Sequence, residues 1–318
     1  MRVVFAGTPA FAAQCLQSLC DTPNIEVVGV ITQPDRKAGR GMKLTPSPVK
    51  RLALAQELDC ITPAGLKDNN EDLAWLTQKE ADFLVVVAYG MIIPPLWLQA
   101  VNIAPINVHA SLLPRWRGAA PIERALLAGD HQTGVAIMRM EKGLDTGPVY
   151  ATTTLAITDT TTGAELWQEL ANMGATLLPV ALKDIADGVL RAVPQDLSGV
   201  NYANKLTADD RLIQWQQAAT VIDRQVRCFT AKPGARLLWR QRWLKIISGS
   251  VLPTSSATAT TGSIIAMKNG LDIRCGDGSC YRIMQLQPEG KAVMNALDFA
   301  RGQRLQVGDL LQDQEGSV

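Results

Sequence analysis

Residues 2–33, RVVFAGTPAFAAQCLQSLCDTPNIEVVGVITQ, decide the fold class. RVVFAG is an apolar run of strand length that ends in glycine. Thr8 and Pro9 then suit a helix start, because proline in the first turn lacks only an N–H that would have no partner there. FAAQCLQSL keeps apolar residues at helical spacing, and IEVVGVITQ returns to a β-branched run. Strand, helix and strand in this order make a βαβ opening, which predicts an open parallel sheet. The turn Gly7-Thr8-Pro9 lacks the second and third glycines of a dinucleotide fingerprint, so NAD and FAD binding are rejected.

Outward from that opening the α/β alternation continues. A helix is expected from about Pro48 to Leu58, a strand near Ile61 and a helix around 70–79. DFLVVVAYG at 82–90 is a continuous apolar run, as expected of a strand covered on both faces. INVHA is the next strand, IERALLAG a helix closed by Gly129, and TGVAIMRMEKG and PVYATTTLAI two further strands. A helix over about 163–187 ends at Gly188. Periodicity is then lost over 189–206, the expected linker between a domain at 1–188 and another at 207–318. After a helix near 208–230 the second domain holds short strands with turns every ~8–12 residues, which argues a small β-barrel. The fold class is thus α/β, a Rossmann-like open sheet followed by a small OB-like barrel.

Composition narrows the function. Net charge is +1, so any basic surface for nucleic acid must be local. Two stretches qualify. Residues 34–51 carry six basic residues, among them Arg36, Lys37, Arg40 and Lys43, against Asp35 alone. Three prolines and two glycines make that stretch a loop by composition. Residues 205–245 hold nine lysines or arginines against three aspartates, Arg227 and Arg240 included. By composition alone the first reads as an ordinary solvated loop, and the second could equally be a surface balanced by acids elsewhere. The six cysteines are scattered without a CxxC pair, which fits reduced thiols and no metal site. The N-terminus lacks the pattern of a signal peptide, and no apolar run approaches the ~20 residues of a membrane span. A cytoplasmic location is expected.

The chain has two histidines, and His109 lies two residues after Asn107 at the end of a strand. Residues i and i+2 of a strand share a side, so both would project together and Val108 would face the core. With the carboxylate of Asp145 in GLDTG, this supplies a proton carrier, its holder and a carboxamide donor for a developing oxyanion. A histidine at a strand end is more often a satisfied structural residue, and the glycine-flanked Asp145 could be a plain turn. His131 in GDHQTG reads as exposed and outside any site.

The segment SLLPRWRGAAPIERALLAG, together with Asn107, His109 and Asp145-Thr146-Gly147, resembles the signature of the formyltetrahydrofolate-dependent formyltransferases. The resemblance implies that Asn107, His109 and Asp145 are catalytic and that the co-substrate is 10-formyltetrahydrofolate, with no metal. It implies a folate site walled by Tyr89, Gly90, Met91 and Ile92 and by Ser111, Leu112, Leu113 and Pro114. QPDRKAGRGMKLTPSPVK at 33–50 is similar to the loop of the branch that formylates methionyl initiator tRNA. That likeness implies tRNA contacts at Arg36, Lys37, Arg40 and Lys43; the basic excess over 205–245 adds Arg227 and Arg240, and a monomer is expected. FTAKPGA at 229–235 departs from the Asn-Pro-x-Pro-Gly run usual in that family. Two rivals remain open: a relative acting on a sugar nucleotide or glycinamide ribonucleotide, and a non-catalytic RNA-binding relative.

Overall fold

A computed structural model describes residues 1–38, 41–67, 69–230, 233–253 and 259–312. The chain divides into two units. The first comprises Met1–Ile122, Gln132–Ala156 and Trp167–Lys205; the second comprises Glu123–His131, Ile157–Leu166 and Leu206–Val318.

The elements follow in order as β1 (Arg2–Gly7), α1 (Ala10–Cys20), β2 (Glu26–Ile31), β3 (Arg36–Ala38), β4 (Lys43–Thr45), α2 (Pro48–Ala55), β5 (Cys60–Ile61), α3 (Asn70–Gln78), β6 (Phe83–Val87), α4 (Pro95–Leu98), β7 (Ala104–His109), β8 (Arg117–Gly118), α5 (Pro121–Ala128), β9 (Gln132–Arg139), β10 (Val149–Ala156), α6 (Gly163–Ala186) and β11 (Tyr202–Ala203). Seven strands form one sheet in the order β10-β9-β7-β6-β1-β2-β5. The run from β7 to β5 is parallel, as the βαβ opening predicts. β9 and β10 extend it antiparallel, so the sheet is mixed. Composition accounts for both kinds. β6 is FLVVV with every residue buried, a strand covered on two faces. β10, VYATTTLA, alternates exposed and less exposed positions along its second half, as an edge strand does. Ser47 caps α2 by accepting from the Lys50 N–H, with Pro48 in the first turn; Asn69 caps α3 in the same way through the Asp72 N–H.

The basic stretch is not a plain loop, as its prolines and glycines suggested. β3 and β4 pair antiparallel into a short hairpin, Arg36 opposite Thr45 and Lys37 opposite Leu44. Arg40 lies outside the described residues.

The second unit adds α7 (Ala219–Cys228), β12 (Ala235–Trp239), β13 (Arg242–Leu252), β14 (Ile264–Ala266), β15 (Leu271–Arg274), β16 (Cys280–Pro288), β17 (Met294–Asn295) and α8 (Ala296–Gln303). The helix expected over 208–230 is shorter, because Asp209–Arg211 is a separate 3-10 turn. The strands curl into an antiparallel sheet, β12-β13-β16-β15-β14, with β17 on β16. β12 and β13 turn back through Arg240 and Gln241, both at positive φ, the backbone of a tight hairpin. Trp215 is fully buried, and its indole N–H donates to the Leu311 carbonyl. No helix among the described residues is long and apolar enough to cross a membrane.

Candidate active site

The site begins with register. Gly7 of β1 lies opposite Val87 of β6, and Val86 of β6 lies opposite Asn107 of β7. The carboxyl ends of three adjacent parallel strands are therefore level, which is where open α/β sheets hold ligands. Asn107 and His109 sit on the last turn of pleat of β7, and the loop after β6 starts beside them.

Both side chains reach one carboxylate. The Asn107 amide Nδ2 donates to Asp145 Oδ1 at 3.2 Å. His109 Nδ1 faces Asp145 Oδ2 at 3.7 Å, an ion-pair distance longer than a hydrogen bond. The other ring nitrogen, Nε2, lies 2.9 Å from the Trp116 carbonyl oxygen. A carbonyl has no proton to give, so Nε2 carries the hydrogen of that bond. Asp145 Oδ2 also accepts from the Gly118 backbone N–H at 2.8 Å. The His109 and Asp145 side chains are 6% and 15% exposed, so these interactions are poorly screened by water.

Two backbone features aim the carboxylate. Asp145 itself has φ 52°, a left-handed conformation that aspartate tolerates better than most residues. Gly147 is packed so closely that a Cβ there would lie 1.8 Å from the Arg139 carbonyl oxygen, which only glycine avoids.

A residue that sequence reading did not single out holds this loop. Gln195 donates from Nε2 to the carbonyl oxygens of Asp145 (2.8 Å) and Gly147 (2.7 Å). Its Oε1 accepts from Arg117 Nε (3.1 Å) and Nη2 (2.8 Å). Asn201 accepts from the Trp116 N–H, and its carbonyl accepts from the Arg117 N–H at 3.1 Å. β11 pairs with β8, and Val193 bridges to Val149. The stretch 189–206, which reads as a linker, thus includes a strap laid along the site.

The residues expected around folate divide into two kinds. Tyr89 is buried in the core with Ile93 and Trp97. Burial, with a smaller effect from the Asp72 charge, pushes its hydroxyl up to about 12. Its carbonyl accepts from Thr8 Oγ1 and from Gln33 Nε2. Gly90 has φ 84°, Met91 is half-buried and Ile92 is 92% exposed. Ser111 is fully buried with its hydroxyl on the Arg115 carbonyl. Leu112, Leu113 and Pro114 are half-buried.

Of the basic residues expected to meet RNA, Lys37 and Lys43 are exposed and make no ion pair among the described residues. Arg36 donates to Gln33 Oε1, which ties the hairpin to the Tyr89 loop through one glutamine. Arg227 is paired with Asp223 at 2.7 Å and donates to the Thr161 carbonyl. Arg240 stacks over the Trp239 ring at 4.3 Å. His131 is exposed. Among the described residues no cluster of histidine, cysteine and carboxylate could hold a metal.

A family model described as formyl transferase matches residues 1–182, and one described as formyl transferase, C-terminal domain, matches residues 205–304. The chain belongs to the formyl transferase family. Among curated formyl transferase relatives, "Methionyl-tRNA formyltransferase" of Dechloromonas aromatica is 44% identical over 310 residues, covering 97% of this chain and 98% of the relative. The protein of that name from Acidithiobacillus ferrooxidans is 45% identical over 311 residues, covering 98% of each. Among solved structures, the N-formyltransferase from Helicobacter canadensis in complex with folinic acid and dTDP-3-aminofucose superposes with a TM-score of 0.67 at 17% identity. It covers 90% of this chain and 98% of its own. At that identity the likeness is one of fold.

Proposed function

We propose that this chain transfers the formyl group of 10-formyltetrahydrofolate to the α-amine of methionine carried on initiator tRNA, and that it works as a cytoplasmic monomer. One observation carries the choice of acceptor. Identity of 44–45% runs through 97–98% of the chain against proteins named methionyl-tRNA formyltransferase, so it takes in both units.

The site geometry supports the chemistry. The loop after β6 offers backbone groups at Gly90 and Met91 and an exposed apolar wall at Ile92, as a flat pterin requires. The methionyl amine attacks the formyl carbon, and charge develops on the formyl oxygen. Asn107 has one amide N–H on Asp145 and a second that can donate to that oxygen. His109 donates through Nε2 to Trp116, which leaves Nδ1 to exchange a proton with the reacting groups under the Asp145 carboxylate. The amine loses a proton as its bond to the formyl carbon forms. The folate nitrogen gains one as its bond to that carbon breaks.

The test is formyl transfer from 10-formyltetrahydrofolate to charged initiator tRNA, with wild type and His109→Ala. Transfer is expected in the wild type, reduced by roughly 10²–10⁴ in the variant. Turnover on an amino sugar nucleotide with none on the RNA would overturn the choice of acceptor. Undiminished transfer by His109→Ala would overturn the mechanism.

A further inference from the structure

We propose that Gln195 is a positioning residue for formyl transfer: its carboxamide seats the Asp145 loop against the carboxyl end of β7. The inference rests on the function proposed above and deepens it by adding a residue from a segment without any sequence signature.

A glutamine carboxamide has two N–H donors and two acceptor lone pairs. At Gln195 all four are used. Both donors go to main-chain carbonyls of the catalytic loop, Asp145 and Gly147. Both lone pairs go to Arg117. A flipped amide would turn its NH2 toward a guanidinium and its oxygen toward two carbonyls, so the orientation is unique.

Arg117 gives the second half. It is 4% exposed, and a buried guanidinium needs partners. The side-chain partner it has is the neutral Gln195 oxygen, which takes two of its N–H groups as a fork. The next residue is Gly118, whose N–H donates to Asp145 Oδ2. Gln195 therefore grips the carboxylate from both sides. It fixes the main chain that bears Asp145, and through Arg117 it fixes the strand that supplies a donor to the same carboxylate. Asn201 works alongside it: Trp116 and Arg117 both donate their N–H groups to this residue, and the Trp116 carbonyl receives His109 Nε2.

Position matters because His109 and Asp145 are already at 3.7 Å. A displacement of about 1 Å in such a set can reduce turnover by as much as 10². Seating should therefore appear in kcat and leave folate binding nearly untouched.

The informative variant is Gln195→Glu. A carboxylate keeps the fork to Arg117 and loses both donors to the loop carbonyls. Gln195→Ala loses both halves. For Gln195→Glu, kcat per folded enzyme is expected to fall roughly 10–100-fold, with KM for 10-formyltetrahydrofolate within about threefold of wild type. A kcat within twofold of wild type in correctly folded Gln195→Glu would overturn the proposal, as would a loss carried entirely by KM. A readout independent of substrate separates this from the choice of acceptor. The Gly118 amide should exchange with deuterium at least tenfold faster in Gln195→Glu than in wild type, whatever substrate the enzyme takes. Unchanged Gly118 protection would overturn the seating role. A wild type inactive on methionyl-tRNA would remove the function proposed above and leave the Gly118 result to decide this one.

Discussion

Asp145 has two demands placed on it, one by its side chain and one by its backbone. Its carboxylate takes Asn107, Gly118 and the face of His109, and its backbone lies at φ 52°. Two substitutions separate these. Asparagine is also at ease in the left-handed region, and it keeps one oxygen for the Gly118 N–H. Its NH2 cannot serve as acceptor on the other side. Asp145→Asn should fold with a melting temperature close to wild type while kcat falls roughly 10²-fold or more. Asp145→Ala should lose comparable activity and, in addition, about 1 kcal/mol of stability from the strained φ. Thermal unfolding and single-turnover formyl transfer on the same preparations check both. Equal melting temperatures for the two variants would show that the backbone strain is relieved elsewhere. The i, i+2 spacing of Asn107 and His109 was legible in the sequence because a strand has one possible alternation. Asp145 was named from its GLDTG motif and the family resemblance, but its contacts with both were not legible, since it lies 36 residues beyond His109 on a loop whose fold-back depends on Gly147.

At the scale of elements, what could be read was what repeats. β1, α1, β2 and β6 are long runs in which apolar spacing and burial agree, and helix ends carry caps such as Ser47 and Asn69. The hairpin of β3 and β4 and the strap at 193–203 escaped because their strands are two or three residues long. Strands that short cannot show a period. Beyond short backbone pairings, they are tied to the site by single side chains, Gln33 for the hairpin and Gln195 and Asn201 for the strap. The hairpin nevertheless permits a sharp expectation. Lys37 and Lys43 are exposed without an ion pair among the described residues, whereas Arg36 is held by Gln33. Lys37→Ala and Lys43→Ala should each weaken tRNA binding and flatten its salt dependence by about one unit per lost phosphate contact. Arg36→Ala should instead loosen the tie to the Tyr89 loop and raise KM for folate. Titrations of tRNA affinity at several salt concentrations decide this: unchanged slopes for both lysine variants would remove the hairpin from the RNA interface.

Taken whole, the molecule pairs the shifted carboxylates of Asp59, Asp210 and Asp223 with cations of their own unit, which makes its acid stability local. In the first unit Asp59 is lowered chiefly by its hydrogen bond to Lys79, but its side chain is 52% exposed and solvent screens the effect. In the second unit Asp210 is more enclosed. Burial raises its pKa, but the Arg124 hydrogen bonds, the Thr207 N–H and the Arg124 charge together outweigh burial and hold it below the ordinary carboxylate range. Asp223 goes the other way: burial raises it more than the 2.7 Å pair with Arg227 lowers it. The signs follow from proton linkage. A depressed folded value gives stability that is present above the unfolded value, about 3.9, and is lost as pH falls through the folded one. A raised folded value gives stability that grows as pH falls through it. On acidification from neutral pH the second unit should therefore first gain from protonation of Asp223 and then lose, below about pH 4, as Asp210 is protonated. Asp210→Asn should be less stable than wild type at pH 7 and should show a smaller low-pH fall, the remainder coming from Glu165 and Asp277, which Thr162 and Ser279 hold low, while Asp223→Asn should lack the earlier gain. Urea unfolding at each pH, followed by deuterium labelling at one fixed pH and read peptide by peptide, resolves the units. The expectation fails if Asp210→Asn keeps the wild-type fall below pH 4 in peptides of the second unit, because the Arg124–Asp210 pair would then not be what acid breaks.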